Sequence, residues 1–216
     1  ERSHCICNNL REAVDSSTQR TALASRGVKK GDTVSAMLPN IPAMFELHFA
    51  VPMLGAVLHS INTRLDVKSV AFQLDHAESK AVFIDAEFAD VMATAVKEAE
   101  VSPLVIDVED ATFGSRQAIG EVEYEMLVAE GNETFQWSLP EDEWQSITLN
   151  YTSGTTGNPK GVVYHHRGAY LNALNNIVTW DMGNHPIYLW TLPMFHCNGW
   201  CFPWSISVVA GTHVCL

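Results

Sequence analysis

At 216 residues with a hydrophobic fraction of 47%, the chain has the length and composition of an ordinary globular protein, one large domain or two small ones. A formal charge of −12, with the basic residues scattered, excludes a sizeable nucleic-acid footprint and a polybasic membrane patch. Five cysteines, an odd count in a chain too long to need disulfide staples, point to reduced thiols in an intracellular compartment; the cytoplasm is the default, with mitochondrion and peroxisome left open.

From the N-terminus there is no charged-then-apolar leader, and the most apolar run, Leu47–Leu58, is too short to cross a bilayer and contains Pro52. No transmembrane segment is expected. Asp32–Leu38 reads as a strand and Pro42–Leu54 as a helix with proline in its first turn. Ala56–Ile61 is a short apolar strand. Val67–His76 and Ala86–Ala99 are helical, the second carrying Phe88, Val91, Met92, Ala95, Val96 and Ala99 at spacings of three and four. Ala81–Ile84 and Leu104–Val108 are buried strands. This strand–helix alternation predicts an α/β fold, a mixed or parallel sheet covered by helices.

Glu109–Gln145 is acidic and irregular, which predicts a solvated surface connection. Regular structure resumes with a strand at Ile147–Tyr151 and a helix from Gly168 to Trp180. A strand at Ile187–Thr191, a helix at Trp200–Val209 and a strand beginning at His213 follow. The chain stops inside that last strand, so it reads as part of a longer protein.

The most informative segment lies between Tyr151 and the helix that follows: Thr152-Ser153-Gly154-Thr155-Thr156-Gly157-Asn158-Pro159-Lys160-Gly161. Its glycines let the backbone approach a polyanion, its hydroxyls and N–H groups donate hydrogen bonds, and Lys160 supplies a positive charge. That is the chemistry of a phosphate cradle. It is not the Walker A loop, because Lys160 precedes Gly161 and no Ser or Thr follows the lysine.

Tyr151–Val162 (YTSGTTGNPKGV) resembles the signature loop of the adenylate-forming, AMP-binding superfamily. Leu192–Trp200 (LPMFHCNGW) resembles the PxFHxxG block that follows it in the acyl-CoA synthetase branch. Gly31–Asn40 and Leu54–Leu65 resemble upstream parts of that branch, so the likeness runs from about Ala24 to Leu216, while residues 1–20 show none. YHHRGAYLNA and LPMFHCNGWCFPW look closest to medium-chain fatty-acyl or methylthiopropionate-type CoA ligases.

The resemblance implies that residues 1–216 are an incomplete N-terminal adenylation domain without its C-terminal lid domain. It implies ATP-dependent activation of a carboxylic acid, a fatty acid foremost, to an acyl-adenylate and then to acyl-CoA. The co-substrates would be ATP, Mg2+ and CoA and the partner a small carboxylate; the oligomeric state is left open. It assigns phosphate contacts to Thr152, Ser153, Gly154, Thr155, Thr156, Gly157 and Lys160, a metal contact to Thr156, and catalytic roles to Thr152, Lys160 and His196, the last at a position that lines the acyl or nucleotide pocket, often as a gate. Asn198 and Gly199, small or polar, would leave space beside the carboxylate. The alternative is a catalytically inactive fragment that binds nucleotide or serves as a partner scaffold.

Three further features have structural readings. His165-His166-Arg167 caps and solvates a helix start rather than binding phosphate. The four tryptophans 180, 190, 200 and 204 form core or pocket wall. Cys197-x3-Cys201 with His196 and His213 lacks a second spaced ligand pair for zinc, so buried free cysteine is the reading.

Overall fold

The structure is a computed structural model that describes residues 5–7, 18–109, 118–132, 139–152 and 158–215. In chain order the elements are β1 (Cys5–Cys7), α1 (18–25), β2 (Thr33–Met37), α2 (Pro42–Met53), β3 (Val57–Ser60), α3 (Val67–His76) and β4 (Ser79–Asp85). A 3-10 turn, Ala86–Phe88, leads into α4 (Ala89–Glu98), then β5 (Leu104–Val108), β6 (Val122–Glu123), α5 (Tyr124–Ala129), β7 (Ser146–Tyr151) and β8 (Gly161–His165). The last are α6 (His166–Thr179), β9 (Ile187–Leu189), a kinked segment His196–Cys201, α7 (Phe202–Val208) and β10 (Thr212–Cys215).

Seven strands form one sheet in the order β6-β5-β4-β2-β3-β7-β8. Its pairings are parallel except the outermost, where β8 returns antiparallel to β7. The expected α/β architecture with a mixed sheet is therefore what forms. Alternation along each strand feeds two cores. Val34, Ala36, Leu58 and Phe83 pack with α1, α2 and α5, whereas Met37, Val82 and Ile84 pack with α3 and α4. A smaller sheet, β1-β10-β9, and α7 close over the first core.

Helix α2 is sandwiched in that first core, and eight of its residues are buried, including Glu46 and His48. Pro52 lies inside it and offers no N–H to the carbonyl of His48 four residues earlier. The indole Nε1–H of Trp204, on α7, donates to that carbonyl at 3.1 Å instead. The proline's missing hydrogen bond thus becomes the tie between α2 and α7.

Three departures from the expected elements have local causes. Ala86–Ala99 is split because the Asp85 carboxylate accepts the Glu87 N–H at 2.8 Å and tightens the first turn. Part of the acidic connection is ordered into β6 and α5, with Glu123 capping α5 through the Met126 N–H. The helix after the loop starts at His166, because the His165 imidazole caps it by accepting the Gly168 N–H at 2.9 Å.

Candidate functional site

The phosphate-type loop joins β7 to β8, so it sits at the C-terminal end of a parallel strand, where open α/β sheets place ligands. Its neck is closed by two hydrogen bonds. The Thr152 N–H donates to the Lys160 carbonyl at 3.0 Å, and the Lys160 N–H donates to the Thr152 hydroxyl at 3.2 Å. Ser153, Gly154, Thr155, Thr156 and Gly157 lie outside the described residues. Thr152 and Lys160 are both exposed, and among the described residues no carboxylate pairs with the Lys160 ammonium. A Cβ at Gly161 would come 2.9 Å from the Leu149 side chain across the hairpin, so a larger residue there asks that leucine to shift.

Tyr151 roots this loop. Its hydroxyl lies 2.7 Å from His76 Nδ1, and its ring stands edge-on to His59 with centroids 5.0 Å apart. Burial pushes the Tyr151 hydroxyl up to about 12, so it remains a proton donor at neutral pH. His59 is fully buried, and burial lowers it to about 4. As a neutral imidazole it carries one N–H, which Nε2 offers to Gln73 Oε1 at 3.3 Å. Nδ1 then accepts from the Ser35 hydroxyl at 2.8 Å, and Ser35 is in turn 2.7 Å from Ser79. One polar chain across β4, β2, β3 and α3 therefore fixes the base of the loop. Composition alone gave no sign of it, because its members are scattered single serines and a lone histidine.

The second motif does not form the expected helix from Trp200. Cys197, Asn198, Gly199, Trp200 and Cys201 all take positive φ, between 43° and 66°, making a left-handed turn before α7 starts at Phe202. Left-handed backbone costs about 1–2 kcal/mol for each ordinary L-residue, so the surroundings must hold the turn in place. Asn198 is fully buried. Its amide donates to the Ser60 hydroxyl at 2.7 Å, and its carbonyl accepts from the amide of Asn150. Asn198 thus does not open space beside a carboxylate, as its sequence position suggested; it anchors the turn to the ends of β3 and β7. Gly199 lies against Trp190, where a Cβ would come 2.9 Å from the ring. Asn40 fastens the preceding stretch, donating to the carbonyls of Trp190 and Leu192 and accepting the Met194 N–H at 2.8 Å.

Asn150 stands two residues before Thr152 and Asn198 two residues after His196. Their hydrogen bond couples the two motifs, and neither residue was legible as a link from sequence. His196 itself is exposed, its ring edge-on to Trp200 at 6.4 Å. Next to it β8, α6 and the left-handed turn enclose a cavity of about 360 Å3 lined by Tyr164, Gly168, Asn172, Cys197, Trp200 and Cys201, among others. Burial pushes the Cys201 thiol and the Tyr164 hydroxyl up, so both stay protonated and neutral in this wall.

His165 caps α6, and Arg167 pairs with Glu143 at 2.6 Å, so this triplet serves the helix start. Trp190 is core and Trp200 and Trp204 line cavities, as expected, whereas Trp180 departs from that reading and is exposed. Cys197, Cys201 and Cys215 are free thiols. The imidazole of His213 accepts from Trp190 Nε1 at 3.0 Å, and among the described residues no cluster of three or more His, Cys, Asp or Glu could hold a metal.

A family model described as AMP-binding enzyme matches residues 14–216. The chain belongs to the AMP-binding enzyme family. The match starts upstream of Ala24, where the resemblance to this family was first readable in the sequence. A peroxisomal acetate/butyrate–CoA ligase of Arabidopsis thaliana is 49% identical over 208 residues, covering 91% of this chain and 37% of the relative. A peroxisomal trans-cinnamate:CoA ligase of Petunia hybrida is 47% identical over 211 residues, with the same 91% and 37% coverage. The fold matches a long-chain-fatty-acid–CoA ligase of Archaeoglobus fulgidus with a TM-score of 0.82 at 20% identity, over 95% of this chain and 40% of that one. This AMP-binding chain thus spans about 37% of the length of the curated relatives it matches. Among its described residues no helix is long and apolar enough to cross a membrane.

Proposed function

We propose that this chain is the N-terminal part of the AMP-binding domain of an ATP-dependent carboxylate–CoA ligase whose lid domain lies in the remainder of the protein. The observation that supports it most is the coupling of the phosphate-type loop to the His196 turn through Asn150 and Asn198. That bond lets one rigid unit face both an anionic nucleotide and a carboxylate.

The donor set fits a polyphosphate. Thr152 and Lys160 flank a run of hydroxyls and glycine N–H groups, and Lys160 is not neutralised by a described carboxylate. In this reading Thr152, Ser153, Gly154, Thr155, Thr156, Gly157 and Lys160 hold the β- and γ-phosphates of ATP. Thr156 would be the residue that helps hold Mg2+, which would supply charge compensation for the phosphates. The acid's carboxylate oxygen attacks the α-phosphorus as the bond to pyrophosphate breaks, giving an acyl-adenylate. The thiol of CoA then takes the acyl carbon, AMP leaves, and the thiol proton passes to solvent. Both first reactants are anions, so the work of Thr152 and Lys160 is positioning and charge compensation in the transition state.

His196 would stand on the carboxylate side, with the cavity beside Trp200 receiving the acyl chain. The relatives' named substrates, acetate, butyrate and cinnamate, are all carboxylic acids, and two of the relatives are named as peroxisomal. An intracellular setting goes with this reading. It is tested by carboxylate-dependent exchange of labelled pyrophosphate into ATP, catalysed by the full-length protein that contains this chain. Exchange that appears only with an acid present is the expected result. ATP binding without exchange for any acid would instead identify a nucleotide-binding protein that is not a ligase.

A further inference from the structure

We propose that His76 is a positioning residue for ATP: through the Tyr151 hydroxyl it holds Thr152 and Lys160, the two ends of the phosphate-type loop, in place. The inference rests on the ligase reading above and adds a residue that lies outside both motifs.

The need for such a residue comes from how the neck of the loop leaves the sheet. Strand β7 pairs with β3 at Thr148 and Leu149, whereas its pairing with β8 runs on to Tyr151 and Gly161. Past Leu149 the two strands project as a hairpin that, among the described residues, no third strand flanks, and β8 is an exposed edge. A two-stranded ribbon is marginal by itself, so side chains must tie this one down. Successive strand residues point to opposite faces. Asn150 is held on one face by Asn198, and Tyr151 turns to the other, toward α3.

On that second face the packing is interrupted. A cavity of about 320 Å3 lies beneath the neck, lined by Leu149, Tyr151 and Gly161 from the hairpin and by Asp32, His76 and Lys80 from the body of the domain. The Tyr151 hydroxyl, 2.7 Å from His76 Nδ1, bridges the two sides, with the rings edge-on at 5.6 Å. His76 is exposed, yet its ring is fixed by stacking on Phe72, one turn earlier in α3, with centroids 5.5 Å apart. Helix α3 is anchored in turn by Leu74 in the core and by the Asp75 carboxylate, which accepts the N–H groups of Glu100 and Val101 at 2.7 and 3.0 Å. An exposed imidazole on a rigid helix end, aimed at a hydroxyl one residue from Thr152, is placed to steer the end of the loop rather than to fill the core.

The test follows pyrophosphate exchange by the full-length protein while ATP and acid are varied in turn, with whichever of acetate, butyrate, hexanoate and octanoate exchanges fastest. The unsubstituted protein is compared with His76→Ala, His76→Asn, Tyr151→Phe and the double variant His76→Ala/Tyr151→Phe. A side-chain hydrogen bond of ordinary strength is worth about fivefold. His76→Ala and Tyr151→Phe are each expected to raise KM for ATP about fivefold and to leave KM for the acid unchanged, because the acid's side of the site is tied to the other face. The double variant should be no worse than either single one, the mark of two groups acting as a pair. His76→Asn, whose carboxamide oxygen stands near the place of Nδ1 as an acceptor, should recover most of the loss. An unchanged KM for ATP in His76→Ala, a rise shared equally by ATP and acid, or single losses that multiply in the double variant would overturn the role of His76 and leave the ligase reading standing. If the alanine variants fail to fold, Tyr151→Phe, which removes one oxygen, decides: a rise in KM for ATP alone supports the role, and any other result overturns it. Failure of the unsubstituted protein to exchange with any carboxylate overturns the ligase reading and the role of His76 together.

Discussion

Acidification from pH 7 to pH 5 should strip this fold of a large share of its stability, and three histidines supply the reason. His48, His59 and His213 are each fully buried, and burial lowers each from 6.5 to about 4, with proximity to His48 adding to the effect at His213. In the unfolded chain they protonate near pH 6.5; in the fold they stay neutral until about pH 4. Their contribution is complete above 6.5 and is lost as pH falls through the window from 6.5 to about 4. The full displacement is worth about 3 kcal/mol per histidine, of which about 2 kcal/mol is gone by pH 5. Three together come to about 6 kcal/mol, comparable to the whole stability of a typical domain, about 5–15 kcal/mol. Ordinary carboxylates titrate mostly below this window, so they confuse the reading little. Urea unfolding followed by circular dichroism at pH 7, 6 and 5 should show a steep fall in the transition midpoint. His59→Gln, which leaves a neutral group in the same network, should lessen the fall by about a third. A midpoint that stays level from pH 7 to pH 5 would refute the argument.

Other consequences are local to the turn. Asn198→Ala removes the amide that satisfies Ser60 and Asn150 and should cost about 2–4 kcal/mol in chemical denaturation. Asn198→Asp, which keeps the shape but places a charge at a fully buried site, should be no better. Gly199→Ala puts a methyl 2.9 Å from Trp190 and asks alanine for φ 53°, so a loss of about 2–3 kcal/mol with an altered near-ultraviolet tryptophan signal is expected.

Much of the scaffold was legible because its signals are local. Helix Val67–His76 and strand Leu104–Val108 form with the bounds read from periodicity and apolar runs, and Pro42 marks the start of α2 as a first-turn proline should. Strand β8 escaped notice because Val162 and Val163 are adjacent apolar residues with no alternation, and both are exposed at the sheet edge. The helix read over Trp200–Val209 forms as Phe202–Val208, and its start is displaced because apolar spacing reports which residues could share a face but carries no information on the sign of φ. Tertiary hydrogen bonds from Asn150 and Ser60, far apart in sequence, settle that sign. The site divides in the same way. Thr152, Lys160 and His196 stood out by motif, whereas Asn150 and the chain Ser79–Ser35–His59–Gln73 act only through contacts that the fold creates.

The central claim is that the loop between β7 and β8 grips the polyphosphate of ATP while an acid is activated. Lys160→Ala tests it most directly, because Lys160 is exposed and its removal disturbs no described ion pair. Carboxylate-dependent pyrophosphate exchange by the full-length protein should fall about 100-fold or more, the scale of a lost charge contact in a phosphoryl-type transition state, while its unfolding midpoint stays put. Exchange at the unsubstituted rate in a folded Lys160→Ala protein would contradict the account.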